Sequence, residues 1–321
     1  MIARAFAPGK AILCGEHAVV YGQPAIAFPV AGVTASAEVS PGTQAGIVVE
    51  TPDIDSVVRL DLQSGHPLGG LIARTLDSLS VHDVEPLNIV LRSTIPIASG
   101  MGSGAALSAA LVKALAAYYG VLLDPATIST LVYESERHYH GTPSGIDNTV
   151  VSFARPIWYR RTTGEAARLE PLTIGARLTL VIGDTGVRCP TRITVSRVRE
   201  RWTADQATCD RLFGEIGATV EAVRAALRQG DISSTGKLLD QNHALLQSLG
   251  VSSEELDRLV AAAQCAGAAG AKLSGGGGGG IMLALVEPEH IAPVGEALRA
   301  AGAARIIVTP VDPARPEALL V

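Results

Sequence analysis

The stretch Ile95-Pro-Ile-Ala-Ser-Gly-Met-Gly-Ser-Gly-Ala-Ala106 decides how the chain is read. An apolar run, Leu87 to Ser93, comes before it and has strand character; an alanine- and leucine-rich run, Leu107 to Tyr119, follows and predicts a helix. Gly100, Gly102 and Gly104 alternate with Met101 and Ser103 at the turn between them. Glycine lets the backbone bend tightly and lets a ligand approach its N–H groups. The helix behind presents unpaired N–H groups and the positive end of its dipole. Strand, glycine loop and helix N-terminus together form a cradle for phosphate. The same residues could also form a plain turn in which glycine serves only packing.

The composition sets bounds on the rest. A chain of 321 residues makes one large domain or two average ones, and 47% hydrophobic residues supply a sizeable core. The net charge of −5 is mild and no dense Lys/Arg stripe is present, so no nucleic-acid partner is expected. Cys14, Cys189, Cys209 and Cys265 show no CxxC pairing, which argues against a disulfide framework or a Cys-rich zinc site. A reducing, cytoplasmic setting follows. No charged leader with a long apolar segment opens the sequence and no apolar run is long enough to span a bilayer, so a soluble protein without a membrane partner is expected.

Outward from the glycine loop, residues 2–40 are strand-like, with Ala11 to Cys14 as a short buried strand. Ile47 to Glu50 and Val57 to Leu62 predict a hairpin with Pro52 and Asp53 in its turn. Leu68 to Leu79 has helical spacing. Asp124-Pro125 opens a helix running to about His138, and Gly141-Thr-Pro-Ser-Gly145 breaks it. Asn148 to Phe153 and Pro156 to Tyr159 read as strands. After Leu178 to Ile182, another strand, come helices at about 192–202, 208–228, 231–248 and 253–268, then a six-glycine run at 275–280, strand Ile281 to Val286, helix 288–301 and strand Arg305 to Val308. The pattern predicts an α+β structure divided near residue 170.

Neither Gly9-Lys10-Ala11 nor Gly236-Lys237-Leu238 completes a Walker P-loop. Gly100, Gly102 and Ala105 match GxGxxA, a dinucleotide-binding variant, but a helix rather than the required second parallel strand comes next. Two further stretches are conspicuous: Ala7-Pro-Gly-Lys-Ala-Ile-Leu-Cys-Gly-Glu-His-Ala-Val-Val-Tyr-Gly22, and Lys272-Leu-Ser-Gly275 with the glycine run, whose end is pinned by a buried strand.

With these motifs near 8–22, 96–106 and 272–280, in that order, the chain resembles the GHMP kinases, named for galactose, homoserine, mevalonate and phosphomevalonate. The resemblance spans nearly the whole chain. Gly15-Glu-His-Ala-Val-Val-Tyr-Gly22 and His140-Gly-Thr-Pro-Ser-Gly-Ile-Asp-Asn148 are most similar to the branch that acts on mevalonate. A galactose-type sequence would instead show a Glu-His-Thr-Asp-like variant. The resemblance implies an N-terminal α/β domain over 1–170 with a left-handed βαβ unit, and a C-terminal ferredoxin-like α/β sandwich over 171–321. It implies transfer of the ATP γ-phosphate to the primary hydroxyl of (R)-mevalonate, with Mg²⁺, in isoprenoid biosynthesis, by a homodimer. A GHMP kinase for another hydroxy acid or sugar, and a non-catalytic nucleotide-binding regulator, are the alternatives.

Phosphoryl transfer needs alignment, charge neutralisation and removal of the attacking hydroxyl's proton. The resemblance makes Asp147 the base and puts Lys10 beside it. It makes Glu136 a Mg²⁺ ligand, a hard oxygen donor suited to that ion. Pro96, Ile97, Ala98, Ser99, Gly100, Met101, Gly102, Ser103, Gly104, Ala105 and Ala106 would surround ATP. Glu16, His17, Ser144, Thr191 and Gly276 would face mevalonate. Ser103 would also reach the metal, or would simply cap the helix; Thr191 carries the same alternative. The family usually places a second serine where this chain has Gly104.

Overall fold

The computed structural model describes residues 1–62, 65–97, 99–140, 144–161 and 167–313, with 138–140 described by backbone alone. The described residues form two sheets. The first holds β1 (Ala3–Cys14), β2 (Pro24–Pro41), β3 (Ile47–Thr51), β4 (Ser56–Leu60), β5 (Leu87–Ser93), β6 (Ile157–Arg160) and β7 (Arg168–Pro171). Its order is β4-β3-β5-β2-β6-β7, with β1 paired to β2. All its pairs are antiparallel except β3 with β5. The parallel pair is joined through β4 and α1 (Pro67–Ser78).

The helix behind the glycine loop, α2 (Ser103–Tyr118), packs against β1 and β2 and against α1, α3 (Pro125–His140) and α4 (Ile146–Phe153). Its alanines and leucines are buried almost all round, as befits a helix with no polar face. It begins four residues before the predicted start, because Gly102, at φ 70°, acts as its N-cap. Asp124 caps α3, its carboxylate accepting from the N–H groups of Ala126 (2.9 Å) and Thr127 (3.0 Å).

One predicted strand is a helix. Asn148 to Phe153 lies in α4, although Thr149, Val150 and Val151 are β-branched. Gly145 caps α4 at φ 90°, Thr149 Oγ1 donates to Gly145 O at 2.7 Å, and Asn148 Nδ2 donates to Ser129 Oγ at 2.8 Å on α3. Packing of the buried α4 face against α3 outweighs the local propensity.

The second sheet holds β8 (Leu178–Asp184), β9 (Gly270–Ser274), β10 (Ile281–Val286) and β11 (Arg305–Val311), in the order β11-β8-β10-β9, all antiparallel. Between β8 and β9 come α5 (Thr191–Ala204), α6 (Gln206–Gln229), α7 (Ile232–Ser248) and α8 (Glu254–Cys265); α9 (Ile291–Ala300) connects β10 to β11. This strand order is the ferredoxin-like one, elaborated by extra helices in its first crossover. Gly270 to Ser274 and Ile281 to Val286 are buried throughout, so both ends of the glycine run are anchored.

Candidate active site

β3 and β5 run in the same direction, so the turn after β3 and the glycine loop after β5 emerge side by side. Ser93 N, at the end of β5, donates to Asp53 Oδ2 in that turn at 2.6 Å. A cavity of about 430 Å³ opens where they meet. Thr51, Asp53 and Ile54 line one part of it, the loop and first turn of α2 another, and Glu136, Asp147 and Thr191 the remainder. Ligands favour this position, at the C-terminal ends of parallel strands.

Of the loop residues, Pro96, Ile97, Ser99, Gly100, Met101, Gly102, Ser103, Gly104 and Ala105 line the cavity. Ala106 is buried in α2 behind them, and Ala98 lies outside the described residues. Met101 O accepts from Lys10 N at 2.9 Å, tying the loop to β1. Ser103 is the first residue of α2 but not its cap: Gly102 takes that position without a side-chain bond. The capping alternative is thereby removed for Ser103. It is removed for Thr191 as well, where Pro190 precedes the helix and no side chain caps it.

Lys10 Nζ stands 3.0 Å from Asp147 Oδ1. Lys10 is buried, and Asp147 opens into the cavity from the first turn of α4. Gly102 lies over this pair: a Cβ there would stand 3.0 Å from Lys10 Cγ and 3.4 Å from Asp147 Oδ2. One residue into α2, a Cβ on Gly104 would stand 3.3 Å from Glu136 Oε1. Two carboxylates and one ammonium therefore gather at the N-terminus of α2, where an anionic ligand would meet free N–H groups.

Burial pushes the Glu136 carboxyl up to about 7; neighbouring Asp147 adds to the shift and Lys10 opposes it. Between its ordinary value of 4.5 and about 7, the folded protein holds a proton that the unfolded chain has released. Stability therefore falls as pH rises through that window. Metal-free Glu136→Gln is expected to melt higher than the parent above about pH 7, by about 1–3 kcal/mol. Below 4.5 the two melting temperatures should converge. Melts across this range check it; an offset independent of pH would contradict it.

The predicted substrate-facing residues divide into two groups. Thr191 lines the cavity, and Gly276 packs against it: a Cβ on Gly276 would lie 3.2 Å from Thr191 Oγ1. Ser144 sits before α4, its Oγ accepting from Ile146 N at 3.3 Å. His17 follows β1 at φ 58°, with Nε2 2.9 Å from Gly276 O. Burial lowers its pKa to about 4, so the ring is neutral at pH 7 and Nε2–H donates to that carbonyl. Glu16 does not line the cavity; it is wholly buried in an ion pair with Lys272. Arg188 forms a two-pronged ion pair with Asp184, at 2.7 and 2.9 Å. Sequence reasoning missed Thr51, Asp53 and Ile54 as lining residues. Their only signal was the Pro52-Asp53 turn.

Residues 70–155 match the GHMP kinases N terminal domain and residues 223–304 the GHMP kinases C terminal domain. A mevalonate kinase of Thermococcus sibiricus is 32% identical over 322 residues, covering 94% of each chain. The crystal structure of L. major mevalonate kinase in complex with R-mevalonate superposes with a TM-score of 0.84 at 30% identity, covering 97% of this chain and 96% of that one. The Methanococcus jannaschii mevalonate kinase structure gives 0.80 at 27% identity, covering 97% of each. The chain belongs to the GHMP kinases and, within them, to the mevalonate kinase family. It is an ATP-dependent small-molecule kinase of the α+β fold that its sequence implied.

Proposed function

We propose that this enzyme transfers the γ-phosphoryl group of ATP to the primary hydroxyl of (R)-mevalonate, giving 5-phosphomevalonate for isoprenoid biosynthesis. The observation that carries the reading is the Lys10–Asp147 pair beneath Gly102, at the mouth of a helix N-terminus, in a chain of this family. ATP lies along the glycine loop, its phosphates at the first turn of α2. Asp147 accepts the proton of the attacking hydroxyl. Lys10 holds that carboxylate in place and stabilises charge on the reacting oxygens. Thr191, Ser144, His17 and Gly276 shape the acceptor side, with Glu16 behind them.

The donor set suits a hard cation: Glu136 and Asp147 raise local negative charge, and Ser103 offers a hydroxyl at the first turn of α2. Glu136 and Ser103 would hold Mg²⁺, which when bound neutralises phosphate charge. With Gly104 in place of a second serine, Glu136 carries most of the protein's share of that binding. The reading includes a cytoplasmic homodimer. Among the described residues no helix is long and apolar enough to cross a membrane.

A substrate screen tests the assignment. Purified protein with ATP and Mg²⁺ should release ADP with mevalonate, and ³¹P NMR of the product should show one phosphate ester on the primary carbon. Turnover with homoserine or a sugar, and none with mevalonate, would transfer the enzyme to another branch. Nucleotide binding without turnover of any acceptor would favour a regulator.

A further inference from the structure

Lys272 lies on β9, wholly buried, and has no part in the chemistry above. Lys272 and Ser274 are two apart on β9 and so share one face, and Gly276 follows just beyond the strand. All three meet β1 or the turn that follows it. Lys272 Nζ donates to Glu16 Oε1 and to Leu273 O. Ser274 Oγ accepts from Ile12 N at 3.0 Å and donates to Ile12 O at 2.9 Å. Gly276 O receives His17 Nε2–H. These contacts make a seam between β1 and the strand that leads into the glycine run. Two residues earlier on the same edge, β1 is held to the phosphate loop through Lys10 N and Met101 O.

Stability alone is a weak reason for this pair. Two buried charges cost much of what their attraction returns, and apolar residues of equal volume often serve as well. An ion pair differs in fixing direction. The turn it anchors needs that, because His17 stands at φ 58°, a region that a side-chain-bearing residue occupies only when its surroundings hold it there. Glu16 is gripped by Lys272 and His17 by Gly276, one on each side of the unfavourable peptide.

We propose that Lys272, with Ser274 beside it, is a positioning residue for phosphoryl transfer: through Glu16 and Ile12 it fixes β1 and the His17 turn against the glycine run, and so sets where the acceptor hydroxyl lies relative to Lys10 and Asp147. The proposal rests on the mevalonate-phosphorylating reading. Turnover of mevalonate by the parent enzyme is therefore measured first, and its absence would count against that reading alone.

A double-mutant cycle tests the positioning role. Lys272→Met is expected to lower kcat/KM for mevalonate about 100-fold, the scale of a displacement near 1 Å, with the KM for ATP little changed. Because Lys272 acts through Glu16, Glu16→Gln/Lys272→Met should lose no more than Lys272→Met alone. Parent-like kinetics in folded Lys272→Met, an equal rise in both KM values, or strictly additive losses would each overturn the proposal. If Lys272→Met fails to fold, Ser274→Ala decides, since it cuts the adjacent stitch without leaving a charge unpaired. A selective loss toward mevalonate supports the proposal, and unchanged kinetics overturn it.

Discussion

Asp147→Asn is expected to reduce kcat by about 10²–10⁴-fold while leaving the KM for ATP nearly unchanged. The substitution keeps the shape of the side chain at the start of α4 and removes its capacity to take a proton. Steady-state kinetics with ATP varied at saturating mevalonate separate the two parameters. The fold should survive, because Glu136 remains near Lys10 and continues to balance part of its charge. Undiminished turnover would remove Asp147 as the base and leave Lys10 and the helix N-terminus to act by charge alone. A loss confined to the KM for ATP would place Asp147 on the nucleotide side of the cavity.

Gly277→Ala should produce a large loss of stability. Gly277 sits at φ 75°, and a Cβ there would stand 1.9 Å from Val251 O, a backbone atom that already accepts from Gly278 N at 2.9 Å. Neither atom can give way without breaking that bond. Left-handed strain of about 1–2 kcal/mol adds to the loss of roughly one hydrogen bond. A total near 3 kcal/mol should lower the melting temperature by several degrees. Gly46→Ala supplies the control: its φ is 90°, yet a Cβ there has nothing within 4 Å, so only the strain remains. Equal shifts for the two variants would show that the glycine run tolerates a side chain. The displaced run should also carry Gly276 away from His17 and Thr191, reducing kcat/KM for mevalonate in parallel with stability.

Much of this architecture was legible in the residues, and the reasons differ from element to element. The glycine loop announced itself because tight geometry between a strand and a helix leaves few alternatives to glycine. The hairpin β3–β4 and helix α3 carried their own turn and cap signals, Pro52-Asp53 and Asp124-Pro125. Helix α4 misled because Thr149-Val150-Val151 has strand propensity, and only contact with α3 reverses it. Thr51, Asp53 and Ile54 were out of reach for a different reason. Their nearness to the cavity depends on the parallel pairing of β3 with β5, which no local pattern encodes. The role of Lys272 was hidden similarly, since its partner Glu16 stands 256 positions away. Capping was an alternative for Ser103 and Thr191, each standing near the start of a helix, and the backbone placed each one residue inside its helix.

The seam between β1 and β9 also bears on time. Ile12 meets Ser274 across 262 positions of sequence, so an early strand of the first sheet waits for one of the last segments of the second. Contacts of such long range are slow to form, because the entropy of closing the loop is lost before the contact is gained. A nascent chain released before β9 can therefore assemble much of its first sheet and its phosphate loop, yet its His17 turn lacks Gly276 to hold it. Refolding followed by two signals should show nucleotide binding returning before turnover, with the interval set by the arrival of a strand that touches no phosphate.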